Sequence, residues 1–177
     1  MKKLYLSLIV ICALMTFLPV AALAAGGSGF PTWSSKLTKG RFTVLPLFSS
    51  AAVFDKETGL VWEQSPNTGT FNWFDALTRC YQLEVGGPGG RKGWRLPTIE
   101  ELVSLQDTSQ PPPTLPAGHP FSNVQSDAYW SATTDAGAQA SAWIGSFNTG
   151  SLVVTVAKNL GFFVWCVRGG QGIDGVQ

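Results

Sequence analysis

The side chains in this 177-residue sequence that could do chemistry are few. They are the cysteines Cys12, Cys80 and Cys166, a lone histidine at His119, the adjacent carboxylates Glu100 and Glu101, and Arg95 between two apolar residues. A redox or nucleophilic cysteine pair calls for close C-x-x-C spacing or a neighbouring histidine. Cys80 and Cys166 have neither, and His119 stands in a proline-rich stretch. Acid–base catalysis needs a nucleophile beside a base, or paired carboxylates that converge. Glu100 and Glu101 are neighbours on a short helix, so their side chains diverge, and Glu101 is explained as part of a helix cap. Arg95 reads as a partly buried arginine satisfied by a carboxylate or by carbonyls. No catalytic residue, metal ligand or cofactor is therefore expected. Of the seven tryptophans, Trp62, Trp94, Trp130 and Trp165 lie in core-like patterns and Trp33 precedes the domain. Trp73 and Trp143 remain as aromatic faces for a ligand.

The cysteine reading depends on the address of the chain. Lys2 and Lys3 precede an uninterrupted apolar run from Leu4 to about Val20, which closes on Ala22-Leu23-Ala24. That is the pattern of a cleaved secretory signal peptide over residues 1–24. Pro19 and the alanine-rich end stand where a membrane anchor would continue into basic residues, so no membrane span is expected in the mature protein. Lipidation at Cys12 would need a small preceding residue, and Ile11 is bulky. Cleavage removes Cys12 and leaves Cys80 and Cys166 as a structural disulfide in an exported protein, periplasmic or extracellular. Such a bridge removes roughly 4–5 kcal/mol of unfolded-state entropy in the chain model. Cleavage also removes two of the 12 basic residues, leaving 10 against 11 acidic ones. On that balance nucleic acid is not an expected partner, and other polyanions are disfavoured in the same way, although Lys36, Lys39 and Arg41 form a local basic group.

The elements that must position these residues read as α+β. Residues 25–40 form a flexible leader, 41–170 one domain and 171–177 a flexible tail. Val53-Phe54-Asp55 and Leu60-Val61-Trp62 flank a turn and predict a hairpin. Helical spacing of Trp73, Phe74, Leu77, Cys80 and Tyr81 predicts a helix over Phe71–Glu84 with its N-cap at Thr70 and these residues inward. Thr98 and Glu101 predict a capping box for a second helix, with Ile99, Leu102 and Val103 buried. Asp107–Asp127, with five prolines, predicts a long irregular loop. A short strand at Tyr129–Ser131 then leads into an antiparallel meander of Ala142–Phe147, Leu152–Ala157 and Phe162–Arg168. The last strand is apolar on both faces and should be central, with Cys166 pinned to the first helix.

The string Asp55-Lys56-Glu57-Thr58-Gly59-Leu60-Val61-Trp62 resembles the opening of the Lcl C-terminal domain family, named for a bacterial collagen-like adhesin. The likeness continues through Trp94-Arg95-Leu96-Pro97-Thr98 with Glu101-Leu102, through Tyr129-Trp130-Ser131 and Ala142-Trp143, to Cys166-Val167-Arg168-Gly169-Gly170. It spans about residues 41–170. It implies a C-type-lectin-like fold, two helices beside twisted antiparallel sheets, with kinship to sulfatase-modifying domains and with Cys80–Cys166 at the fold's structural bridge. Calcium-dependent lectins of that fold carry carboxylates on the long loop and on a nearby strand, because Ca²⁺ takes six to eight oxygens. The corresponding Gln110-Pro111-Pro112 and Ala142-Trp143-Ile144 lack them, so calcium-mediated sugar binding is not expected. The expected role is an exported, non-enzymatic recognition module that binds a protein or glycan through Asp107–Asp127. Its candidate contacts are Trp73, Trp143, Asp107, His119 and Asp127, and removing Ser109–Pro120 should spare the fold. A second expectation is a structural subunit of a cell-surface or periplasmic assembly, homo-oligomeric or joined through a sheet edge. A periplasmic enzyme is the third.

Overall fold

A computed structural model describes residues 40–87, 89–148 and 152–170. The segments expected to be a signal peptide (1–24), a leader (up to residue 39) and a tail (171–177) lie outside the described residues, as do Cys12, Trp33, Lys36 and Lys39. Among the described residues, ten strands form two five-stranded sheets, with two α-helices. The first sheet has the order β1 (Phe42–Val44), β2 (Ala52–Asp55), β3 (Val61–Glu63), β10 (Val167–Arg168), β5 (Trp94–Arg95), and all its pairs are antiparallel. The second has the order β4 (Asn67–Phe71), β9 (Phe162–Val164), β6 (Ala128–Thr134), β7 (Ser141–Ser146), β8 (Val153–Ala157). Only β6 and β9 run parallel.

The expected hairpin is β2–β3. Its turn is organised by Asp55, whose buried carboxylate accepts from Glu57 N–H at 3.0 Å and from Thr58 Oγ1 at 2.8 Å. Gly59 supplies the positive φ (+73°) that the turn requires. Arg41 closes the arrangement with two hydrogen bonds to Asp55, at 2.8 and 2.6 Å, and one to Ser104 O. Arg41 is thereby buried and neutralised, which takes it out of the basic group suggested by sequence.

Helix α1 runs from Trp73 to Gln82 rather than from Phe71 to Glu84, and its N-cap is Asn72 rather than Thr70. Phe71 is claimed by β4, where it pairs with Phe162, and Asn72 Oδ1 accepts from Asp75 N–H at 3.0 Å. The helix buries Ala76 and Cys80 but leaves Phe74 63 % and Tyr81 81 % exposed, against the inward placement expected for both. Helix α2 (Ile99–Val103) has the expected capping box, with Ile99 and Leu102 buried. Val103 is only half-buried, and Leu105 beyond the helix end completes that face instead.

Of the expected meander, β7 and β8 pair antiparallel, and β6 adds to β7 on the other side. The third segment does not continue it, since β9 pairs with β4 and β6 instead of β8. Phe162–Arg168 breaks at Trp165-Cys166 into β9 and β10, which are each second from an edge in different sheets rather than central. The apolar run serves two cores by alternation. Val164 and Cys166 enter one, with Trp130, Ile144 and the α1 residues Ala76 and Cys80. Trp165 and Val167 enter the other, with Trp62, Tyr129, Phe147 and Leu102 of α2. A strand apolar on both faces is what this position demands.

Candidate functional site

The three sequence blocks that define the domain meet at one point. Arg95 makes two hydrogen bonds to the Glu101 carboxylate, both 2.7 Å, and others to Leu96 O and Gly169 O. Glu101 also accepts from Thr98 N–H at 2.8 Å. Gly170, with φ +86°, passes so close that a Cβ there would lie 2.7 Å from Leu60 and 2.9 Å from both Arg95 and Glu101. Only glycine fits. Leu60, Arg95, Glu101 and Gly169-Gly170 thus lock the hairpin, α2 and the C-terminal strand together. Both terminal nitrogens of Arg95 and both carboxylate oxygens of Glu101 are turned inward to this task, and Trp94, Leu96 and Pro97 are buried beside it. The block Trp94–Thr98 with Glu101 is scaffold.

The cysteines are likewise committed. Cys80 and Cys166 are bonded, with Cα atoms 5.5 Å apart and both side chains fully buried. Arg79 spans the bridge, donating to Cys166 Sγ and making a bidentate pair with Glu63 at 3.1 and 2.7 Å. Glu63 returns to the same strand by accepting from Cys166 N–H at 2.9 Å, while its carbonyl accepts from Trp165 Nε1. A buried carboxylate needs such partners. Sequence reasoning missed this pair. Its one local signal is Glu63 in an apolar strand, an acid that must find a cation. An open groove of about 510 Å³ beside α1 was also not foreseen; Asp75, Thr78, Arg79 and Gln82 line it. Its charges are already answered, Arg79 by Glu63 and the lining Glu84 by Lys92.

The long segment Asp107–Asp127 is irregular, as expected, but it is not loose. Leu115 and Phe121 belong to the second core, and Thr114 is buried. Thr114 N–H donates to Phe147 O, Asp107 N–H to Thr114 O, Ser122 N–H to Gln64 O, and Gln64 Nε2 to Pro120 O. Asn123 reaches Ser65 Oγ, and Gln125 N–H donates to the Tyr129 hydroxyl. Deleting Ser109–Pro120 would therefore remove core and main-chain bonds, which overturns the expectation that it spares the fold. Its exposed residues are Pro111 and Pro112, Gly118, Asn123 and Asp127 together with the small side chains Thr108, Ser109, Ala117, Ser122 and Ser126.

Each of the five candidate contacts has its own local setting. Asp107 turns its carboxylate back on Ser109, accepting from N–H at 3.0 Å and from Oγ at 2.6 Å. Asp127 is exposed and caps Ala128 N–H at 2.7 Å. His119 is half-buried, stacked on Phe121 at 5.9 Å, and burial lowers its pKa from the ordinary 6.5. Trp73 packs against the first core, donates Nε1–H to Ser131 O, and carries the Lys158 ammonium 4.0 Å above its ring. Trp143 is half-buried on β7 and alternates with the core residues Ala142 and Ile144, so it takes the opposite face. Among the described residues no group of three or more His, Cys, Asp or Glu side chains could hold a metal ion, and no helix is long and apolar enough to cross a membrane.

Compared with known protein families, the chain matches the model described as the Lcl C-terminal domain over residues 51–168. That stretch includes the Asp55 turn, the Arg95–Glu101 lock and both cysteines. No curated protein matches the chain.

Proposed function

The chain belongs to the Lcl C-terminal domain family, and from that premise we propose that it is an exported, non-enzymatic recognition module of adhesin-like character. In this reading the two sheets and two helices are a C-type-lectin-like fold, and the partner is a protein or a glycan. The observation that carries it is the mounting of Asp107–Asp127. Its main chain is tied to β7, to Gln64 and to Tyr129, yet its outward side chains include small ones, varied in chemistry and uncommitted, at Thr108, Ala117 and Ser126. Recognition surfaces are built in this way, as loops held by a rigid scaffold. Absence of catalysis is supported by the fate of the reactive side chains, since both cysteines are bonded and Glu101 is bound to Arg95 and to the helix cap. Export is supported by the fully buried disulfide, which an oxidising compartment would preserve.

The test uses point substitutions on the loop surface, because a deletion would unfold its anchor. Glycan arrays and pull-downs with the wild-type protein should yield a specific partner. Thr108→Arg, Ala117→Arg and Ser126→Arg should each weaken capture of that partner while leaving the melting temperature within about 2 °C. A partner captured equally well by all three variants would place recognition elsewhere on the molecule.

A further inference from the structure

Among the described residues each sheet ends in two edge strands, and three of the four are poor templates for another strand. β1 has three residues, β5 has two, and β4 shifts register between Asn67 and Phe71. β8 differs. It pairs with β7 without interruption from Gly145↔Val153 to Ser141↔Ala157, and its sequence Val-Val-Thr-Val-Ala holds no charge, proline or glycine. Edges are normally defended by a lysine or by a distortion. The nearest lysine, Lys158, is drawn off the edge. Its ammonium is bound by Thr134 Oγ1 and Gln139 O, both at 2.9 Å, and lies over Trp73.

The hydrogen-bonding phase of this edge is fixed. Ser146 N–H donates to Leu152 O, and Lys158 N–H donates to Ala140 O, so residues 152, 154, 156 and 158 turn their main chain toward β7. Val153, Thr155 and Ala157 therefore turn their N–H groups outward. Beside them Leu152, Val153 and Leu160 are 57 %, 37 % and 47 % exposed.

We propose that β8 is a self-association edge, on which a second copy of this chain pairs antiparallel about a two-fold axis at Thr155. The pairing joins two five-stranded sheets into one. The strand is complementary to itself in that register: Thr155 faces Thr155, Val153 faces Ala157 and Val154 faces Val156. No like charges meet, and each outward N–H finds an outward carbonyl. The two-fold also brings both Trp143 side chains onto one face, because each stands beside its own Thr155. This inference goes beyond the recognition reading and does not depend on it.

Sedimentation of the full chain, expressed with its own N-terminal segment, from micromolar to millimolar concentration should show a reversible monomer–dimer equilibrium. Thr155→Pro removes an N–H that faces away from β7, a placement an edge strand tolerates, and should weaken dimerisation about tenfold or more. Thr155→Lys sets like charges opposite one another at the axis and should also weaken it, while Thr155→Ser should not. If Thr155→Pro disturbs the near-ultraviolet dichroism of the monomer, Thr155→Lys alone decides. A monomer at every concentration, or a dimer indifferent to both Thr155→Pro and Thr155→Lys, overturns the proposal.

Discussion

His119 shows what the surroundings of one residue do to its chemistry. The imidazole stacks on Phe121, a core residue, and desolvation there disfavours its charged form. The unfolded chain takes up a proton near pH 6.5, whereas the folded chain refuses it until the pH is lower. Between those values the unfolded state binds more protons, so stability is complete above pH 6.5 and is lost as the pH falls through this window. The melting temperature should begin to decline as the pH falls below about 6.5, ahead of the carboxylate range. His119→Phe should flatten that decline. An unaltered slope in the variant would assign it to other groups.

At the scale of elements, the segment Asp107–Asp127 behaves as part of the core. Leu115 is 2 % exposed among Trp62, Leu105 and other members of the second cluster. Leu115→Ala should cost about 2–5 kcal/mol in urea denaturation, whereas Thr108→Arg should change stability by less than about 0.5 kcal/mol. Equal, small effects from both would mean that the loop is only draped on the fold. Proline density made the irregularity of this segment legible in the sequence but concealed its anchors, since Leu115 and Phe121 recur at no helical or strand period. The β2–β3 turn and the Thr98–Glu101 cap were legible because their chemistry is local. Helix α1 was misjudged at its start because Phe71 fits both a helix stripe and a strand, and pairing with Phe162, far along the chain, decides between them. Exposure of Phe74 and Tyr81 was invisible for a related reason: helical spacing marks a face but does not say whether anything covers it. The Arg79–Glu63 pair across the bridge is non-local, and Glu63 in an apolar strand marks only one of its two ends. The local partners of the candidate contacts were not legible either: Asp107 and Asp127 accept from neighbouring groups, and Trp73 donates to Ser131 O across a separation of 58 residues.

For the whole molecule, the last strand segment is what makes one domain of two sheets. Val164 and Cys166 enter one core, Trp165 and Val167 the other, and β9 and β10 lie between neighbours in separate sheets. The bridge to Cys80 fastens α1 to that crossing point across a sequence separation of 86 residues. Closing so large a loop removes about 4–5 kcal/mol of unfolded-state entropy, a large part of the 5–15 kcal/mol that domains typically possess. Cys80→Ser should therefore lower the unfolding free energy by several kcal/mol under non-reducing conditions. The loss should appear as one cooperative transition, because the strand at the bridge is shared by both cores and neither sheet can release it alone. Reduction of the wild-type protein should shift its denaturation midpoint to near that of the variant. A midpoint for Cys80→Ser equal to that of the oxidised wild type would mean that the crossing is held by packing of Trp165 and Val164 alone. Two resolved transitions would mean that the cores unfold independently despite the strand they share.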